Sequence, residues 1–129
     1  MTHKIILASG SEGRKQQLTR AGIAFDIKKP DVDEEAIALE HQGASLRDVA
    51  EHLAVAKGLA VSEKHPNAVV IAGDQICALG TEVLHKPMTN QNAVMQLEHL
   101  QGKTHHLHTS AAICKGGEVL WQFATTTAL

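Results

Sequence analysis

The chain has 129 residues, 43% of them hydrophobic and 20% charged, with a formal net charge of -2. That is the size and balance of one ordinary globular domain, which argues against a disordered chain and against a membrane protein. Aromatic residues are only 2% of the chain and no basic run is present, so neither a base-stacking single-strand binder nor a duplex binder fits; the expected partner is a small anionic ligand rather than nucleic acid.

In chain order, "KIILA" reads as a short buried strand that gives way to a polar turn, "SGSEGRK", and then to a helix with Leu18 and Ala21 at helical spacing and Gly22 as its stop. "AFDIKK" alternates as a half-buried strand does, and Pro30 ends it. "PDVDEEAIALEHQGA" carries five acids with no firm period and reads as a loop with room for a helical turn. Ser45 is placed as an N-cap, with Asp48 completing a variant capping box, and Leu46, Val49, Ala50, Leu53, Ala56 and Ala60 form one apolar stripe of a helix reaching about Glu63.

"NAVVIAGDQICAL" is too apolar for a surface strand and belongs in the middle of a sheet. "HKP" is a loop, Thr89 caps a helix whose Ala93, Val94, Leu97 and Leu100 are expected to face inward, and Gly102 ends it. "KTHHLHTSAAIC" and "EVLWQFATTTAL" flank "KGG" as a hairpin. The order predicts a mixed sheet with helices packed on it, an α/β domain of the α+β mixed kind, undivided over residues 1–129.

The turn after the first strand lacks the spacing of a Walker loop. It nonetheless joins Ser9, Ser11, Arg14 and Lys15 to backbone N–H groups at a helix start, an arrangement suited to an anion and equally to simple N-capping. Asp74, inside "VVIAGDQIC", needs a metal, a cation, a proton or backbone donors. Asp33 or Glu34 from the acidic segment would join it on one hard cation. Lys57 lies among small apolar residues with one outlet at the helix edge, and Lys86 precedes Pro87 in an extended segment. "HHLH" lacks a fourth ligand at zinc spacing, and neither Cys77 nor Cys114 has a cationic setting, which argues against thiol chemistry and for a reducing compartment.

Taken together, "LASGSEGRK", "PDVDEE", "LAVAKG", "IAGDQI", "HKP" and "GKTHHLHT" stand in an order and spacing that resembles the Maf family of nucleoside triphosphate pyrophosphatases. The resemblance implies the inosine-triphosphatase-like fold, an elongated mixed sheet flanked by helices with two lobes around a cleft. It implies that Ser9, Ser11, Arg14 and Lys15 grip phosphates, with Gly13 beside them in the substrate site. Glu34 and Asp74 would hold Mg2+ or Mn2+, Lys57 and Lys86 would serve the chemistry, and Asp74 would act as general base or as metal ligand. Gln75 after Asp74 resembles the branch acting on 7-methyl-GTP. Glu12 and Gly13 depart from the family's Pro followed by Arg or Trp, and an acid beside a triphosphate repels it unless turned away.

The family's chains continue beyond "FATTTAL", so the second lobe is expected to be lacking here, with an uncovered sheet edge. The reading is a cytoplasmic, metal-dependent nucleotide pyrophosphatase, a homodimer. A nucleotide-binding regulatory protein without turnover is the rival. No segment has the length or flanks of a signal peptide or membrane span.

Overall fold

A computed structural model describes residues 4–84 and 88–129. The elements run β1 (Ile5–Leu7), α1 (Glu12–Arg20), β2 (Asp26–Ile27), α2 (Glu34–Glu40), α3 (Leu46–Lys64), β3 (Val69–Leu79), β4 (Glu82–Leu84), α4 (Asn90–Leu100), β5 (His106–Lys115) and β6 (Glu118–Ala128). The strands form one mixed sheet in the order β2-β1-β3-β5-β6, with β4 paired to β3 beside that path. β1 is parallel to both β2 and β3, whereas β5 runs antiparallel to β3 on one side and to β6 on the other. The expected central strand is β3, which joins the parallel half of the sheet to the antiparallel half.

Alternation along the strands sends Val70 and Ala72 of β3, and Ala112 and Cys114 of β5, into one core with Ile6, where Ala54 and Val61 of α3 meet them. All seven are essentially sealed from water. The predicted cap holds: Ser45 accepts a hydrogen bond from the Asp48 N–H at 3.2 Å, and Val49, Ala50, Leu53, Ala54, Lys57, Gly58 and Val61 form the buried stripe. Gly58 brings α3 down onto the sheet, because a Cβ there would lie 2.7 Å from Cys114 Sγ and 3.4 Å from the Ala72 Cβ. The β5–β6 hairpin closes through Gly116 (φ 62°) and Gly117 (φ 78°), the left-handed pair a two-residue turn demands. Ser62 of α3 accepts from the Gly117 N–H at 3.0 Å and ties that turn to the helix.

Two expectations are corrected and one strand is added. The acidic segment holds more than a helical turn: after an irregular stretch over 30–33, Asp33 accepts from the Ala36 N–H at 3.1 Å and caps α2, and acids in a first helical turn are favoured by the backbone dipole. β4 exists because Gly80, at φ 63°, turns the chain back onto β3. The stripe on α4 does not face inward: no residue of α4 is buried, and Val94 and Leu97 are exposed. This helix does not pack on the sheet, and His99 pairs with Glu82 of β4 at 3.0 Å near its end.

Candidate active site

At the end of β1 the chain turns tightly into α1, and its hydroxyls organise that turn. Ser9 Oγ accepts from the Ser11 N–H at 2.9 Å, and Ser11 Oγ, the N-cap of α1, accepts from the Arg14 N–H at 3.4 Å. Arg14 Nη1 reaches back to Ser9 Oγ at 3.5 Å. A helix start, two hydroxyls and a guanidinium therefore face one small cavity of about 340 Å³, whose wall also includes Lys29, Glu34 and Lys57.

Lys57 is the hinge of the site. Its side chain, 11% exposed, emerges from the buried stripe of α3 with Nζ 2.6 Å from Glu34 Oε1 and 2.9 Å from Asp74 Oδ1. Asp74 therefore has a cation partner in this structure, and the acid beside it is Glu34, Asp33 being engaged as the cap of α2. Backbone pairing sets Asp74 opposite Ser110 of β5. The Ser110 hydroxyl, buried, donates to the Ala50 carbonyl of α3 at 2.6 Å and accepts from the Asp74 N–H at 3.2 Å. One hydroxyl therefore fixes the strand carrying Asp74 against the helix carrying Lys57.

On the other side of this cluster opens a larger cleft of about 910 Å³, walled by apolar side chains that include Leu46, Val49, Leu53, Ile76 and Val83. Glu34 lines both cavities, and Asp74 and Gln75 line the larger one. The ion cluster stands at the junction between a polar, cationic chamber and an apolar one. Such a division matches a ligand with an anionic end and a flat, less polar end.

Of the residues singled out from sequence, Ser9, Ser11, Arg14, Glu34, Lys57 and Asp74 converge on this junction. Gln75 sits at the edge of the larger cleft, its amide donating to Thr109 Oγ1 at 3.4 Å. Gly13 is in the first turn of α1, with Ser11 Oγ 3.7 Å from where a Cβ would be. Lys15 is not brought in. It lines a separate depression with Glu12, Gln16, Thr19 and Arg20, because the helical rotation from Arg14 turns it to another face. Glu12 shares that depression and so points away from the small cavity. Lys86 lies outside the described residues.

Sequence reasoning missed Ser110 and Lys29. Ser110 carried a signal: it takes an inward position in the alternation Ser110, Ala112, Cys114, where a lone polar group requires a partner. Among the described residues no three metal-ligating side chains cluster, the histidines of "HHLH" included. Cys114 is buried, which raises its thiol pKa and leaves it unreactive.

The chain matches the family model described as Maf-like protein over residues 4–129. It is 44% identical over 124 residues to a protein of Brucella abortus named 7-methyl-GTP pyrophosphatase, and 46% identical to one of the same name from Mesorhizobium japonicum; each alignment covers 95% of this chain and 62% of the relative. A Jannaschia protein named nucleoside triphosphate pyrophosphatase 1 is 38% identical, over 98% of this chain and 65% of its own length. The chain thus spans less than two thirds of the length of these relatives. Among solved structures, the Ham1 protein of Staphylococcus aureus superposes with a TM-score of 0.61 at 16% identity, over 97% of this chain and 70% of that one, and a HAM1 protein from Coxiella burnetii with 0.59 at 13% identity, over 98% and 71%. At such identities the likeness is one of fold, and it agrees with the mixed sheet described above.

Proposed function

The chain belongs to the Maf-like family, and on that premise we propose that its two-chambered cleft hydrolyses a nucleoside triphosphate to the nucleoside monophosphate and pyrophosphate. The observation that carries the reading is the Glu34–Lys57–Asp74 cluster at the junction of the chambers. A nucleoside in the apolar chamber and phosphates in the polar one would bring the anhydride between the α- and β-phosphates to the cluster.

The reaction this supports is attack of a water oxygen on the α-phosphorus. The new P–O bond forms on the monophosphate, the bridging P–O bond breaks, and pyrophosphate departs with the bond's electron pair. Lys57 engages Asp74 through Oδ1, which leaves Oδ2 to orient the water and take its proton. Ser9, Ser11 and Arg14 hold the leaving phosphates, and fixed donors of this kind stabilise the charge that shifts onto them. Lys86 is proposed as a further cation of the site. Glu34 and Asp74 suit Mg2+ or Mn2+, since both carboxylates converge on a single point now held by an ammonium, and a hard cation takes such oxygens together with phosphate oxygens. When bound, the ion supplies Lewis-acid neutralisation of the phosphate oxygens.

A 7-methyl-GTP preference is supported by the names of two of the relatives and by Gln75 at the rim of the larger cleft, whose amide both donates and accepts. Homodimer formation is supported by the half-exposed, stacked Trp121 and Phe123 on β6, the outer strand of the sheet order. Cytoplasmic residence is supported by two free cysteines; among the described residues no helix is long and apolar enough to cross a membrane. The deciding experiment is pyrophosphate release from a panel of 7-methyl-GTP, GTP, dTTP and UTP, with and without Mg2+ or Mn2+. Metal-stimulated release, greatest for 7-methyl-GTP, is the expected result. Nucleotide binding without release of pyrophosphate under any condition would refute the catalytic reading.

A further inference from the structure

We propose that Lys29, outside every motif that carries the family resemblance, is a phosphate-binding residue of the small chamber and supplies there the second cation that Lys15 does not. The proposal rests on the nucleotide-hydrolase reading and adds a residue to it.

The fold delivers Lys29 to this place. β2 runs parallel to β1, and the Lys28 N–H donates to the Leu7 carbonyl at 3.0 Å, which lays the segment after β2 alongside the turn after β1. Pro30, the next residue, lines the chamber as well. The lysine stem passes the turn at contact distance: Lys29 Cε lies 3.9 Å from where a Gly10 Cβ would be. Lys29 lines the same 340 Å³ chamber as Ser9, Ser11 and Arg14, and among the described residues no carboxylate pairs with it.

Charge makes it consequential. The ammonium of Lys57 is already shared by Glu34 and Asp74, so this trio is net negative and Arg14 only brings the surroundings to neutral. Lys29 makes the chamber net positive, the condition for drawing in a polyanion. Lys15 adds nothing here, being turned to the far depression.

The test is calorimetric binding of inorganic tripolyphosphate to the full chain and to Lys29→Ala, Lys29→Arg and Lys15→Ala, with thermal midpoints as a folding control. Lys29 is exposed, so the midpoints should be unchanged. Lys29→Ala should weaken binding about tenfold, the loss of one charge-assisted contact; Lys29→Arg should recover most of it, and Lys15→Ala should change it less than twofold. Equal affinity for Lys29→Ala and the parent, or an equal loss from Lys15→Ala, overturns the assignment while leaving the hydrolase reading intact. Lys29-dependent tripolyphosphate binding in a chain that releases no pyrophosphate from any nucleotide upholds Lys29 and refutes the hydrolase reading. No tripolyphosphate binding by the parent chain overturns the phosphate chamber and Lys29 with it.

Discussion

Gly58 and Cys114 face each other across the helix–sheet interface so closely that a methyl on the glycine would sit 2.7 Å from the sulfur. The contact sets the depth of α3 on the sheet, and Lys57, the residue before Gly58, owes its reach to Asp74 to that depth. Gly58→Ala gains about 1 kcal/mol of helix propensity but overpacks a sealed core at a cost of about 1–3 kcal/mol. The net should be a loss of up to about 2 kcal/mol in denaturant unfolding, largely recovered by adding Cys114→Ala. Equal loss in the single and double variants would show that the sulfur is not the obstacle.

Asp74→Asn retains shape and removes the charge that partners Lys57. Turnover should fall at least about a hundredfold with the circular dichroism spectrum unchanged. Near-normal pyrophosphate release would remove Asp74 from the chemistry.

Lys57→Met leaves Glu34 and Asp74 facing one another without a counter-ion. Breaking a buried pair from one side costs about 3–5 kcal/mol when the remaining charge stays buried; here Glu34 is half exposed, so the loss should be at the low end or below. kcat should fall by at least about tenfold, whereas a rise in KM alone would assign Lys57 to binding only.

Ser110→Ala removes the hydroxyl that bonds both the Asp74 N–H and the Ala50 carbonyl and so unties β3 from α3. A hydrogen bond contributes about 0.5–1.5 kcal/mol net, and unfolding free energy should drop by about 1–2 kcal/mol. An activity loss with KM constant is the sign that Asp74 has also been mispositioned.

His108, hydrogen-bonded to Thr126 at 3.0 Å, has its pKa lowered from 6.5 by burial, then by the nearby charges of His106 and Arg47. The unfolded chain therefore binds the proton more readily than the folded one. Stability should be full above pH 6.5 and decline as pH falls from 6.5 through the lowered folded value. His108→Gln should flatten that part of the profile; an unchanged slope would assign it to other histidines.

The helix of Lys57 and the buried strand of Asp74 were legible in the sequence because both depend on local signals: a serine cap with a helical apolar stripe, and a β-branched run too apolar for a surface. α2 was hidden because its acids blur any hydrophobic period, although Asp33 was a legible cap. The stripe on α4 misled, since a periodic pattern indicates a helix but not what it packs against. The convergence of Lys29 on the Ser9 turn comes from parallel pairing of two short strands distant in sequence, a tertiary fact with no local signature. Lys15 was misplaced for the opposite reason: adjacency to Arg14 in sequence means different faces on a helix.

The elements around the small chamber are the lightest part of the sheet's surroundings. α1 and α2 bury no residue and β2 has two residues, whereas α3 buries eight. Segments with so little buried surface open at low free energy. In hydrogen exchange, the amides of residues 12–20 and 34–40 should therefore trade deuterium well before those of β3 and the middle of α3. A polyanion clasped between Ser9, Arg14 and Lys29 would slow that exchange chiefly in the loose half, so occupancy of the chamber becomes readable as local stiffening, with the core's protection serving as the internal clock.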